Sequence, residues 1–188
     1  MNELAAVYRI DPDDFNHGPA DFDHPSMIHG IGHVYRVMYH CLRLGVILNL
    51  QEEARLAFFA AFVHDLSRKH DGRCTEHGEW AENEKLPLYS PLFTRHGVGE
   101  TEMEHIKFAI VNHSLPDELP VTHPSWKVTA ILKDADALDR IRLGEYDLDP
   151  RYLRFKETID RIVVAKELYY ETFDQPLTRF SQFLSLGI

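Results

Sequence analysis

The 188-residue sequence predicts an all-α fold, a single irregular helical bundle. Three observations predict it. Apolar residues recur at helical spacing through most of the chain. No segment alternates with a period of two and β-branched enrichment. The length suits one domain, with enough chain to bury a core unaided.

The elements follow in order. Residues 1–28 form an N-terminal arm, polar and broken by Pro12, Gly18, Pro19 and Pro25, with room for a short lead-in helix. From Ile31 the pattern turns helical: Val34, Val37, Met38, Cys41 and Leu42 make one apolar stripe, and Gly45 is the expected stop. Asn49 is positioned to cap a second helix from Gln51 to Arg68. Its centre, LAFFAAFV, is apolar nearly all round, the mark of the most buried element. A short helix is expected over Glu76–Lys85, with Pro87 and Pro91 opening a loop. Glu100–His113 reads as a helix with Met103, Ile106, Ala109 and Ile110 inward. After Pro116, Pro120 and Pro124, Ser125 heads a long helix to Leu143. A further helix spans Pro150–Thr172, and a short one follows Pro176. Residues 29–145 are the expected core unit, and 146–188 supply C-terminal helices packed on it.

Charge narrows the function classes. Twenty Lys and Arg against thirty Asp and Glu give −10, which argues against general nucleic-acid binding. A small phosphate ligand in a locally positive pocket remains compatible. The two cysteines, Cys41 and Cys74, make neither a disulfide framework nor a Cys-x-x-Cys metal site. No apolar run is long enough for a membrane span, and the first residues do not read as a signal peptide, so a cytoplasmic location is expected. The oligomeric state is left open.

Twelve histidines are many for this length, and imidazole is the commonest metal ligand. His64-Asp65 closes the most hydrophobic helix, where a carboxylate is costly unless paired. His33 begins the preceding helix, 31 residues earlier (64 − 33). An αα-hairpin of these lengths brings the start of the first helix beside the end of the second. LKDADALDRI then places Asp134, Asp136 and Asp139 in an apolar helix. Asp136 is on the inward stripe and Asp139 borders it. Asp134 lies more than half a turn from Asp136, so the two cannot face one site. Two imidazoles, Asp65 and one more carboxylate would suit a divalent Mn, Fe, Co, Ni or Zn ion. Such an ion with open positions activates water at neutral pH.

The series His33-x-x-Arg36-Val37, AFVHDLSR, NHS at His113 and KDADALD resembles the HD superfamily of metal-dependent phosphohydrolases over residues 29–145. The resemblance implies an all-α HD fold with His33, His64, Asp65 and Asp136 as metal ligands. It selects Asp136 from its Ala-Asp-Ala-Leu context. Several members of the family hold a second metal through added histidines; here His77 and His113 are placed to do so. The sequence departs from the family in lacking the common Gly after the His-Asp pair and the Gly-Tyr-Pro signature of its cyclic-dinucleotide branch.

The expected activity is hydrolysis of a nucleotide or other small phosphorylated metabolite, with Asp65 orienting water and His113 contacting phosphate. Arg36, Arg68, Arg140 and His29 are the candidate substrate contacts; Lys69 and Arg73 read as solvated. His17, His24, His40, His70, His105 and His123 are expected at the surface. Two other readings stay open: a di-iron oxygenase on the same scaffold, which needs both added histidines, and a non-catalytic sensor of metal and nucleotide.

Overall fold

The computed structural model describes residues 3–174 and 176–186. Its architecture is all-α; among the described residues there is no strand. The helices are α1 (Glu3–Tyr8), α2 (Ile31–Leu48), α3 (Gln51–Val63), α4 (His77–Trp80), α5 (Leu86–Arg95), α6 (Glu100–His113), α7 (Trp126–Leu138), α8 (Lys156–Ile159), α9 (Ile162–Asp174) and α10 (Phe180–Leu184). No helix is long and apolar enough to cross a membrane.

Helix α3 is the axis of the fold, packed against α2, α6 and α7. Residues Leu56–Val63 are buried without a break, as a helix apolar on every side must be. Its rings build the core: Phe58, Phe59 and Phe62 surround Phe15 from the N-terminal arm, with centroids 4.9, 5.7 and 5.4 Å away. Phe93 of α5 and Phe180 of α10 close on the same cluster.

Helices α2 and α3 form the antiparallel hairpin that the site requires. Gly45 does not end α2; the helix continues to Leu48. The glycine serves the crossing instead, because a Cβ there would collide with Ala54 of α3 and the Tyr8 hydroxyl of α1. Asn49 likewise does not cap α3. It takes the left-handed conformation (φ 55°) and closes α2, its N–H donating to the Gly45 and Val46 carbonyls. The turn is therefore only two residues long.

Other boundaries also differ from expectation. The second hairpin helix stops at Val63, and His64 to Ser67 make a tight turn rather than a continuation to Arg68. Pro87 and Pro91 lie inside α5 rather than in a loop. Pro87 sits in the first turn, where its missing N–H costs nothing. The Pro87 carbonyl, which Pro91 cannot serve, instead accepts from the Ser90 hydroxyl (3.2 Å). The helix after Ser125 ends at Leu138 and tightens into a 3₁₀ turn over Asp139–Leu143. The segment expected as one helix over Pro150–Thr172 is a turn followed by α8 and α9. Two histidines expected at the surface are in the interior. His17 stacks on Phe62 and its Nε2 donates to the Phe62 carbonyl (2.8 Å). His40 is fully buried on α2.

Candidate metal centre

Two of the buried helices end on a histidine, and the reason is local. The last carbonyls of a helix lack intrahelical donors. His64, just past α3, gives its Nδ1–H to the Ala61 carbonyl at 2.7 Å. His113, the last residue of α6, does the same to Ile110 at 2.6 Å. At the start of α4, His77 donates from Nδ1 to the Cys74 carbonyl at 3.0 Å. On α2, His33 donates from Nδ1 to the Asp139 carboxylate at 2.7 Å.

These four bonds fix the tautomers, since a carbonyl or carboxylate can only accept. Each Nδ1 carries the proton, so in the neutral tautomer each ring presents an Nε2 lone pair, which on His77 has Arg68 Nη1 3.2 Å away. Burial lowers the pKa of His64 to about 3 and also lowers that of His77, so both are neutral at physiological pH.

The four Nε2 atoms converge. Those of His33 and His64 are 3.2 Å apart, and those of His77 and His113 are 2.9 Å apart. Asp65 stands between the pairs. Its Oδ2 lies 3.3 Å from His33 and 3.8 Å from His64. Its Oδ1 lies 3.0 Å from His77 and 3.6 Å from His113. Asp136 adds an oxygen 3.5 Å from His33 Nε2.

Lone pairs facing lone pairs at these distances repel unless a cation lies between them. Asp65 Oδ1 is buried and has no hydrogen-bond donor among the described residues. An orphan acceptor of this kind is normally paid for by an ion or water. Metal bonds of about 2.1 Å at angles near 90–110° put neighbouring donor atoms roughly 3.0–3.4 Å apart. The observed spacings scatter around that range. His33, His64 and Asp136 make one set that can hold a metal ion, and His64, Asp65 and His113 make a second.

Charge is arranged to suit. Burial opposes ionisation of Asp136, yet Arg142, His33 and His64 bring its carboxyl down to about 2. Burial likewise opposes the charge on Asp65, and the surrounding imidazoles, led by His64, hold it well below the usual carboxylate range. The donor set is thus two carboxylates and four imidazoles with the proton on Nδ1, which suits a borderline divalent ion. Compared with known proteins, the chain matches no family model, no curated protein and no solved structure. The argument for the site therefore stands on its geometry.

The site opens into a cavity of about 470 Å³ lined by His29, Asp65, Arg68, Arg73, His77, His113, Asp136, Arg140 and Arg142 among others. His29 is held on its wall by Asp71 (Nδ1 to Oδ1, 3.1 Å). Arg68 reaches the Gly72 carbonyl (2.8 Å) and stands 3.5 Å from Asp65 Oδ1. Arg140 lies at the rim, paired with Asp147 at 2.5 Å.

Arg36 is a correction. It does not line this cavity and is not placed to contact substrate there. Its Nε and Nη2 grip Asp139 at 2.5 and 3.1 Å, and its Nη1 donates to Thr172 of α9 at 3.2 Å. It lies beside the carboxylate that orients His33. Asp134 also faces away, its carboxylate accepting from the Arg154 and Phe155 backbone N–H groups and the Thr158 hydroxyl.

Two residues of the site escaped the sequence reading. Asp139 orients His33, the carboxylate–histidine arrangement that fixes a ligand ring. The signal was present as two i, i+3 pairs, His33 with Arg36 and Asp136 with Asp139, on helices that meet. Arg142 lines the cavity with a side chain only 5% exposed, 3.4 Å from Asp136 Oδ1. It lies in the 3₁₀ turn after α7, where helical periodicity gives no guide.

Proposed function

We propose that this chain is a metal-dependent phosphohydrolase acting on a small phosphorylated metabolite. The observation that carries the reading is the convergence of four imidazole Nε2 atoms and two carboxylates at ligand spacing, on the wall of a cavity that arginines line. His33, His64, Asp65 and Asp136 would hold one ion. Asp65, His77 and His113 would hold another, with Asp65 bridging the two.

A divalent ion bound there supplies Lewis-acid polarisation of a phosphoryl oxygen and water of lowered pKa. The chain supplies the rest. Arg68, Arg73 and Arg142 offer N–H donors to phosphate oxygens, which Arg can grip with two parallel bonds. Asp65, an ionised acceptor at the centre of the site, orients an attacking water. His29 keeps its Nδ1 proton on Asp71, so its Nε2 accepts from the substrate.

The test is metal analysis of protein purified without chelator, then a panel of phosphorylated metabolites with and without added metal. The reading expects turnover that chelator abolishes and Mn, Co or Ni restores. No turnover of any phosphate ester by metal-loaded protein would overturn it. A second reading, a di-iron oxygenase, draws support from one observation: His77 and His113 both stand at the centre, beside Asp65. Iron at two equivalents with substrate-dependent O₂ consumption would favour it over hydrolysis.

A further inference from the structure

A second cavity of about 460 Å³ adjoins the first. The two share Arg73, His113, Asp136 and Arg140 in their linings, so they are lobes of one cleft meeting beside the metal centre. The outer lobe adds Leu115, Pro116, Ala137 and the ring of Tyr152, which is 70% exposed. A largely bare tyrosine that shares a cavity lining with apolar side chains offers a stacking surface.

The charges of the outer lobe are already matched to one another. Arg140 pairs with Asp147, Arg154 with Glu118 and Asp134, and Asp149 with Arg151. Lys133 donates to the Leu115 and Asp117 carbonyls at 2.8 and 3.2 Å. Arg73 differs. It is exposed, lines both lobes, and has no ion pair or hydrogen bond among the described residues.

We infer that the outer lobe is the subsite for the alcohol portion of the substrate, and that Arg73 at the junction takes an oxygen of its single phosphate. The substrate class is a monophosphate ester of an uncharged, ring-bearing alcohol. A polyphosphate fits poorly, because a second phosphate in the outer lobe would meet Asp147, Asp149 and Glu118 with every local cation already engaged. This rests on the phosphohydrolase reading and deepens it.

The experiment measures equilibrium binding to Mn-loaded protein by calorimetry, separately from turnover. The probes are inorganic phosphate and the hydrolysis-resistant phosphonate analogues of phenyl phosphate, a hexose phosphate, a nucleoside monophosphate and the matching diphosphate. At least one ring-bearing monophosphate should bind about tenfold tighter than inorganic phosphate, the scale of one stacked ring. Tyr152→Ala, at an exposed position, should bring that ratio close to one. Leu115→Trp, which fills the lobe, should do the same by a different route. Arg73→Ala should weaken every phosphate probe together. The diphosphate should bind no tighter than the monophosphate. The inference is overturned if both lobe variants keep the wild-type ratio, or if the diphosphate binds tenfold tighter. If esters bind as expected but no metal supports their hydrolysis, the subsite stands and the hydrolase reading falls. If hydrolysis occurs and the lobe variants treat all esters alike, the reverse holds.

Discussion

At the residue scale, the protonation of single rings decides what the protein can do. Asp139 is fully buried, and although burial opposes its charge, Arg36 and His33 hold its carboxyl far below the usual range. Its ionised oxygens keep the His33 proton on Nδ1 and so keep Nε2 bare. Asp139→Asn should therefore weaken metal binding by about 10–100-fold, measured by titration with a metal-sensitive dye. It should also destabilise the fold by roughly 3–5 kcal/mol, because Arg36 loses its buried partner. Unaltered metal affinity would show that Asp139 serves the fold alone. His40, one turn past Arg36 on α2, gives a separate pH signature. Both of its ring nitrogens are buried without a hydrogen-bond partner among the described residues, and burial lowers its pKa from 6.5 to about 3. As pH falls below 6.5 the unfolded imidazole takes up a proton that the folded one refuses until about pH 3. Stability from the neutral ring is thus full above that window, falls through it and levels off below, a change of roughly 5 kcal/mol in total. His40→Phe should flatten the slope of unfolding free energy between about pH 6 and 4. An unchanged slope would assign acid sensitivity to other groups.

At the element scale, close crossings bring the ligands together. Gly78 follows His77, and a Cβ there would lie 2.8 Å from the Val111 carbonyl and still nearer that of Ile110. The Ile110 carbonyl is the one that holds the His113 ring. Gly78→Ala should push α4 off α6, separate His77 from His113, and cost one metal equivalent by elemental analysis while the first set of ligands keeps its ion. Two equivalents in that variant would refute the coupling. Gly45→Ala, at the α2–α3 crossing, should cost about 1–3 kcal/mol through overpacking, read by denaturant unfolding. These positions also show how much was legible in the sequence. The amphipathic stripe of α2 and the apolar run of α3 gave the hairpin, and the hairpin placed His33 beside His64 and Asp65. Asn49 and Gly45 were misread because a turn residue and a packing glycine look alike until the partner helix is known. Pro91 was misread because its compensation, the Ser90 hydroxyl on the Pro87 carbonyl, is a side-chain bond that periodicity cannot show. Arg36 was misread as a substrate contact because cations near a site look alike in sequence, and only the fold shows that Asp139 claims this one.

At the scale of the whole molecule, six candidate ligands come from five separate stretches: the start of α2, the end of α3, the start of α4, the end of α6 and the last turn of α7. An ion at their meeting point ties those stretches together, so metal binding is linked to folding. Chelation should lower the melting temperature, and restoring metal at about a thousand times its dissociation constant should return roughly 4 kcal/mol. A net charge of −10 is no obstacle to a phosphate ligand, because four arginines line the cavity and Arg73 among them has no acidic partner among the described residues. The most direct test of the central claim is anomalous diffraction from crystals of metal-loaded protein, recorded at the absorption edge of the bound ion. The account predicts one peak within about 2.5 Å of His33 Nε2, His64 Nε2, Asp65 and Asp136, and a second within that distance of Asp65, His77 Nε2 and His113 Nε2. A map with no peak there, and with the imidazoles rotated so that Nε2 atoms donate to Asp65, would contradict it.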